Sequence, residues 1–503
     1  MLEKYKGKKI LIAGFETEGK ATFEFLKKNG ISADIADKLG DDEFYKRHSE
    51  IRQEDIKVVL GENYLDSVAD YEVIFRTPGL SAFNPQIIEA RGKGIEITSQ
   101  IKLFMQLCSA KTIGVTGTKG KGTTATLTYE ILKASGKDAY LGGNIGVPAI
   151  SFLNLLNKDS IVVLELSSFQ LMDLEKSPNI AVVLNITQDH LDVHKDREEY
   201  VEAKKSIVKY QADDDFAVIN VDYATSNQFK EETKADIFEV STLSSVIPAP
   251  DQVEGKAPAG IQSNPTGFHL CGDNDEKRFF DSSLREVAQN DIIGGCYVNK
   301  NDEIILRRDG IEEKIASFSD LQLRGRHNLE NVCAAVAASY LAGADLDSIR
   351  KTAKEFKGLE HRLEFVAEAG GVKYYNDSFS TTPETAIAAT SAFSEPIILI
   401  AGGSKKGSDY TGMGRAIAEK VKTVFLIGKT APEIKEKIIA VNPGADIREG
   451  FTNMDDLVRR ASETADAGDV VVLSPGCASF DLFKNYKERG ELFKNAVDKL
   501  NRD

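Results

Sequence analysis

The chain has 503 residues, with 63 Lys plus Arg against 78 Asp plus Glu for a formal net charge of −15, and 42% of its residues are hydrophobic. At typical domain sizes that length suggests about three domains, each with ample apolar material for a core, which excludes a disordered or fibrous chain. The acidic surplus argues against nucleic acid or anionic lipid as a general partner, since both repel such a molecule unless a local basic patch intervenes.

No apolar run approaches the roughly 18 residues of a membrane span. The N-terminal stretch MLEKYKGKKILIAGF also lacks the apolar-then-small pattern of a signal peptide, so the reading is a cytoplasmic protein without membrane insertion. Cys108, Cys271, Cys296, Cys333 and Cys477 are scattered, odd in number and without CxxC spacing, and read as reduced core thiols.

Along the chain, short apolar runs alternate with amphipathic stretches, and each run ends in Gly, Asn, Thr or Ser. This is the βαβ rhythm of α/β sheets. Lys9 to Gly14 opens the series, and the stretch ISADIADK about twenty residues later is strand-like. A first boundary falls near Cys108, before a new strand at Thr112 to Gly117. Further strands follow at Ile161 to Leu166 and Ile180 to Ile186. Between Ser241 and Asp320 the pattern breaks into Pro, Gly, Ser and charged residues with short alternating pieces, EIILRR and EKIASF, and reads as an insertion of small β-structure. A second boundary near Gly358 precedes LEHRLEFV, after which Ile397 to Ala401 and Val470 to Leu473 are strands.

Thr112 to Thr124 reads TIGVTGTKGKGTT, a β-branched strand, a Gly-rich turn and then the helix-compatible ATLTYEILKASG. Backbone N–H groups of such a turn and the helix N-terminus wrap phosphate oxygens, and Lys121 reaches the terminal phosphates. Gly122 stands where a Ser or Thr usually follows the lysine, so a magnesium-binding hydroxyl falls to Thr123 or Thr124, or to water. By itself this loop leaves kinase, ATPase and ligase open. Two segments, ELSSFQL (Glu165 to Leu171) and NITQDHLDVH (Asn185 to His194), lie at the carboxyl ends of apolar strands, where ligands of open α/β sheets collect. Glu165 and His190 are therefore candidate Mg²⁺ ligands, the carboxylate being the more usual partner of a hard cation.

The loop GTKGKGTT, the segments GGNIGVP, ELSSFQL and NITQDHLDVH, and then GRHNLEN, LEHRLE, YYNDSFSTTPE, AGGSKKGSDY and SPGCASFDLFKNYKERG follow one another in chain order. In that order they resemble the ATP-dependent Mur ligases of peptidoglycan synthesis. The last segment looks like the signature of the family's D-glutamate-adding member, and the DNPR stretch of the diamino-acid-adding ligase is absent. The resemblance implies an α/β fold of three domains. Residues 1–107 would form a Rossmann-like domain binding a UDP-sugar substrate, and residues 108–358 a P-loop ATPase-like domain with a parallel sheet and the small β insertion. Residues 359–503 would form a Rossmann-like domain binding the amino acid.

The implied reaction joins the carboxylate of UDP-N-acetylmuramoyl-L-alanine to the amine of D-glutamate, with ATP, two Mg²⁺ ions and an acyl-phosphate intermediate. The implied protein is a monomer. Gly117, Thr118, Lys119, Gly120, Lys121, Gly122, Thr123 and Thr124 match the family's ATP loop. Asn328 and Asn331 match adenine contacts, Arg362 a phosphate contact and Asp377 a ribose or phosphate contact. Lys121, Glu165, His190 and Lys204 match the catalytic set, with Thr123, Glu165, His190 and Lys204 around the metal. Lys204 matches a lysine that carbamylation turns into an anionic oxygen ligand. Thr17, Asp37, Thr77, Gly79, Asn144 and His190 match the UDP-substrate pocket, and Thr381, Lys406, Ser479 and Tyr486 the D-glutamate pocket. The chain departs from the family pattern at Glu16 (often Gly), Phe379 (often Lys) and Tyr486 (usually Phe). Two other readings stay open: a ligase of the same superfamily with a different acceptor, including a folylpolyglutamate-type enzyme, and a P-loop nucleotide-binding protein without ligase activity.

Overall fold

The computed structural model describes residues 2–187, 196–243, 291–323, 325–326, 328–405, 408–479 and 481–500. Two compact units divide the chain: Met1–Lys119, Tyr140–Lys314 and Val336–Ala342 in one, and Gly120–Ala139, Ile315–Ala335 and Gly343–Asp503 in the other. Three sheets carry the fold.

The first sheet holds β1 (Ile10–Ala13), β2 (Asp34–Asp37), β3 (Val58–Leu60), β4 (Val73–Arg76) and β5 (Glu96–Thr98). Its order is β3-β2-β1-β4-β5, with every pair parallel. Side chains of a strand alternate between faces, so Ile10 and Ile12 of β1 enter one core while Leu11 and Ala13 enter another. A run that is apolar at every position therefore marks a strand covered on both sides.

The second sheet contains β6 (Lys111–Thr116), β7 (Ala139–Gly143), β8 (Ile161–Glu165), β9 (Ile180–Val183), β10 (Phe216–Asn220), β11 (Asp236–Ser241), β12 (Ile292–Val298), β13 (Glu303–Arg308) and β14 (Ile311–Ser317). Their order is β14-β13-β12-β11-β10-β9-β6-β8-β7. From β12 through β8 the pairing is parallel, but β12 and β13 run antiparallel. The expected small β insertion thus extends the main sheet and makes it mixed instead of wholly parallel. EIILRR is β13 itself, and most of EKIASF lies in β14.

The third sheet comprises β15 (Glu364–Ala369), β16 (Val372–Asn376), β17 (Ile397–Gly402), β18 (Val421–Ile427), β19 (Ile447–Arg448) and β20 (Val470–Leu473), in the order β15-β16-β20-β17-β18-β19. Five of these strands are parallel, whereas β15 and β16 form an antiparallel pair. The reason is local. Only Gly370 and Gly371 separate the two strands, with φ of +59° and +78°, and two residues with positive φ make a tight hairpin turn whose twist suits paired strands. Along β17, Ile397, Leu399 and Ala401 enter one core and Ile398 and Ile400 the other, so this strand is buried on both faces.

Among the described residues, the four cysteines Cys108, Cys296, Cys333 and Cys477 are free and buried, as expected, and no helix is long and apolar enough to cross a membrane. Cys271 lies outside the described residues.

Candidate functional site

Strand β6 ends at Thr116, and the loop that follows is tied to neighbouring strand ends. Thr118 N–H donates to Asn185 O at 2.6 Å and Lys119 N–H to Asn185 Oδ1 at 3.1 Å. The Thr118 hydroxyl donates to Thr187 O at 3.2 Å and lies 3.1 Å from the Tyr200 hydroxyl. Gly120, with φ +85°, is the left-handed residue from which the helix Lys121–Ala134 starts. A glycine is suited to that place because a Cβ in the left-handed region is strained. The first turn of a helix points backbone N–H groups and the positive end of the helix dipole toward the preceding loop, which is the physical basis of phosphate binding.

Within that helix Gly122, Thr123 and Thr124 are buried. The Thr124 hydroxyl faces Asn331, 3.4 Å from its Oδ1, and Asn331 Nδ2 donates to Asn328 Oδ1 at 2.7 Å. Asn328 and Asn331 thus share one buried polar cluster with Thr124. Thr123 is the neighbouring hydroxyl that this cluster does not engage.

Glu165 ends β8, in register with Val115 of β6, and is 7% exposed. Asn144 holds it from two sides: its N–H donates to Glu165 O at 2.9 Å, and its Nδ2 to Glu165 Oε1 at 3.2 Å. Asn144 and Glu165 are therefore brought together. Lys204 lies in the amphipathic stretch REEYVEAKKSIVKY, where a lysine ordinarily faces solvent. In the structure it is 1% exposed on the helix Arg197–Lys209, and Nζ donates to Thr116 Oγ1 and Gly117 O, both at 3.3 Å. The Tyr200 ring lies 4.7 Å from the same ammonium. His190 falls outside the described residues.

In the first sheet, Asp37 ends β2, buried, with Oδ2 accepting Phe15 N–H at 2.7 Å and Oδ1 accepting Leu39 N–H at 2.9 Å. Its carboxylate thus shapes the turn after β1. Thr77 Oγ1 donates to Ala13 O at 3.0 Å, so the RTPG turn and the β1 turn are joined, while Thr17 and Gly79 stand exposed beside them. Glu16 is also exposed and pairs with Arg47 at 2.7 Å.

On the third sheet, Asp377 is buried behind the NDSF turn. Its Oδ2 accepts from Ser474 Oγ at 2.7 Å and its Oδ1 from Leu363 N–H at 3.1 Å. Burial pushes its carboxyl up to about 7, against the lowering effect of Ser474, Leu363 N–H and the Arg362 charge. Arg362 lies over the Phe379 ring. Ser479 is buried at 2% exposure, Thr381 precedes the helix Pro383–Thr390, and Tyr486 heads the helix Tyr486–Leu500. Lys406 lies outside the described residues. Glu360, His361 and Glu491 present three ligand atoms within 4.8 Å. Lys494 already places its ammonium on both Glu360 and Glu491, at 2.5 and 2.8 Å, so a protein cation already serves that cluster.

Sequence reading missed the buried polar residues that join these loops. Arg489, 0% exposed, donates to Ser378 Oγ, Ser378 O and Cys477 O, fastening the NDSF turn to the SPGCAS loop. Arg76, at the end of β4, donates to Leu80 O, Phe169 O and the Asp173 carboxylate. Gln170 of ELSSFQL donates to Glu18 Oε1 at 2.7 Å. The signal for Arg76 and Arg489 was their charge beside recognised residues, Arg76 next to Thr77 and Arg489 inside SPGCASFDLFKNYKERG.

A Gly-rich loop leading into a helix N-terminus at the carboxyl end of a mostly parallel sheet defines an α/β protein of the kind that binds nucleoside phosphates. Three family models match the chain in order: the Mur ligase MurD-like N-terminal domain over residues 8–99, the Mur ligase middle domain over 115–339 and the Mur ligase glutamate ligase domain over 361–477. The UDP-N-acetylmuramoylalanine–D-glutamate ligase of Symbiobacterium thermophilum is 39% identical over 489 residues, 97% of each chain. That of Acetivibrio thermocellus is 38% identical over 504 residues, 99% of this chain and 98% of its own. This chain belongs to the Mur ligase family. Among solved structures, a pseudomurein peptide ligase type C from Methanothermus fervidus matches with a TM-score of 0.53 at 18% identity, covering 98% of this chain and 100% of that one. The UDP-N-acetylmuramate-alanine ligase MurC of Thermotoga maritima matches with a TM-score of 0.53 at 17% identity, covering 98% and 99%. At those identities the likeness is one of fold.

Proposed function

We propose that this protein is the ATP-dependent ligase that adds D-glutamate to UDP-N-acetylmuramoyl-L-alanine in peptidoglycan precursor synthesis. The observation that carries this reading is similarity along the full chain, 39% over 97% of both sequences, to a ligase of that specificity. The substrate carboxylate attacks the γ-phosphorus of ATP, breaking the bond to the bridging oxygen and releasing ADP. The D-glutamate amine, having lost its proton, then adds to the acyl carbon of the acyl phosphate. The tetrahedral intermediate expels phosphate and leaves the amide. Two anions have to meet in the first step, so cationic and N–H donors must be fixed beforehand.

In this reading Gly117 to Thr124 wrap the ATP phosphates, with Lys121 on the terminal ones, and Asn328 and Asn331 hold the adenine. Arg362 and Asp377 complete the nucleotide contacts. Thr17, Asp37, Thr77, Gly79 and Asn144, with His190, serve the UDP-substrate. Thr381, Lys406, Ser479 and Tyr486 serve D-glutamate. The domain boundaries at 107/108 and 358/359 separate these three tasks. The protein acts in the cytoplasm, where its nucleotide substrates are, as a monomer.

The donor set near β6 suits Mg²⁺ in part. Glu165 and Thr123 offer hard oxygen donors, and His190 completes the proposed set. Lys204 suits a cation only after carbamylation, which would replace its buried ammonium with an anionic oxygen pair. When bound, Mg²⁺ neutralises phosphate charge that would otherwise repel the incoming carboxylate. Carbon-13 NMR of the native protein after incubation with ¹³C-labelled bicarbonate tests the modification, and the lack of a carbamate signal that disappears in Lys204→Arg rejects it.

The direct assay is phosphate release with ATP, Mg²⁺ and the nucleotide sugar, comparing D-glutamate with L-glutamate, D-aspartate, L-lysine and no amino acid. Release that requires D-glutamate, with a product heavier by one glutamyl residue, is the expected outcome. Preference for another amino acid would overturn the assignment of acceptor, and release without any acceptor would favour a simple ATPase.

A further inference from the structure

Phe379 is a large apolar side chain left 42% exposed, yet its ring makes two directed contacts. The Arg362 guanidinium carbon lies 4.7 Å from the ring centroid. The Tyr486 ring stands edge-on to it, with centroids 5.1 Å apart and an interplanar angle of 88°. Both geometries use the negative ring face and positive ring edge of an aromatic quadrupole.

The backbone beneath is held from several sides. Phe379 N–H donates to His361 O at 2.9 Å, and Arg362 N–H to Leu359 O at 3.1 Å. His361 and Leu363, which flank Arg362, have φ of +64° and +44°, in the left-handed region that non-glycine residues rarely occupy. Leu363 N–H is anchored by Asp377. The base of Arg362 is therefore fixed, whereas its long side chain retains rotamer freedom that only a contact at its tip removes. Phe379 supplies that contact. On the other side, Ser378 Oγ donates to Tyr486 O at 2.7 Å, so the backbone of Tyr486 is likewise pinned and its ring is oriented by Phe379 and His361.

We propose that Phe379 is a positioning residue that pre-orders two subsites at once, its ring holding the Arg362 guanidinium for the ATP phosphates and the Tyr486 ring for the amino-acid substrate. This rests on the ligase reading above. A leucine here would fill similar space without a quadrupole, while a tyrosine would keep one.

The test compares Phe379→Tyr, Phe379→Leu and Phe379→Ala in the full chain, varying ATP, D-glutamate and the nucleotide sugar in turn. Because the side chain is substantially exposed, all three variants should fold, which thermal unfolding checks. Phe379→Leu is expected to raise KM for ATP and for D-glutamate by about two- to fivefold, with Phe379→Ala at least as impaired. Phe379→Tyr should stay close to the parent, and KM for the nucleotide sugar should not move in any of them. A Phe379→Leu enzyme with parental KM values, or one no worse than Phe379→Tyr, overturns the proposal. If the parent protein itself shows no D-glutamate-dependent turnover, the ligase reading fails separately. Calorimetric ADP binding to the parent and to Phe379→Leu then tests the Arg362 contact alone, and equal affinities would overturn it.

Discussion

Glu18 shows what a single buried carboxyl does to a protein of this kind. One oxygen accepts from Gln170, and the other is buried with no hydrogen-bond partner. Burial raises its pKa to about 7 from 4.5, despite the opposing effects of Gln170 and Arg76. Between those two values the folded protein holds a proton that the unfolded chain has released, so stability falls as pH rises through this window. Glu18→Gln removes that loss. The variant should be more stable than the parent at pH 8, by on the order of 3 kcal/mol, with little advantage at pH 4.5 and below. Thermal unfolding across pH 4.5 to 8 measures this, and a constant difference between the two proteins would contradict it. None of this was legible in the sequence, where Glu18 is one of 78 acidic residues.

Elements gain their positions from a few polar links between them. The short helix Ser168–Leu171 is closed by a capping box: Ser167 N–H donates to Gln170 Oε1, and Gln170 N–H to Ser167 Oγ. The same Gln170 reaches Glu18 on the helix Thr17–Lys28. Close by, Arg76 of β4 and Asp173 form an ion pair with both side chains almost wholly buried, joining the first sheet to the segment after β8. Breaking such a pair strands a buried charge. Arg76→Met should therefore destabilise the protein by about 3–5 kcal/mol, lowering the unfolding temperature by several degrees. Arg76→Met combined with Asp173→Leu should recover most of that, because no charge is then left uncompensated. If the double variant is as unstable as the single one, the arginine acts through packing and not through the pair. The segment ELSSFQL was legible in sequence, as were Thr77 and Gly79 beside Arg76. Their linkage was not, because residues 93 and 97 positions apart come together only when two sheets share a core.

At the scale of the whole molecule, nucleotide binding should register as added stability. ADP with Mg²⁺ at a hundred times its dissociation constant should stabilise the folded protein by about 2.7 kcal/mol, visible as a raised unfolding temperature. Lys121→Ala, compared with its own ligand-free unfolding temperature, should lose most of that rise. A full rise in the variant would remove Lys121 from the nucleotide site.

Much of this architecture is written in local pattern. Continuous apolar runs such as IILIA and VVVL mark strands buried on both faces, and the turn TGTKGKGTT marks a Gly-rich passage from strand to helix, because periodicity and glycine placement act over a few neighbouring residues. By itself the sequence thus determined the α/β class, nine of the strands (the six continuous apolar runs, β2, and β13 and β14 of the insertion), the loop that begins at Gly117 and the order of the motifs. Tertiary structure alone decided that Lys204 is buried beneath that loop, that Asp377 is enclosed by Ser474 and Leu363, that Arg76 meets Asp173, and that Phe379 lies between Arg362 and Tyr486. Burial and pairing depend on which distant segments share a core, and that is a property of the folded chain that no window along the sequence contains.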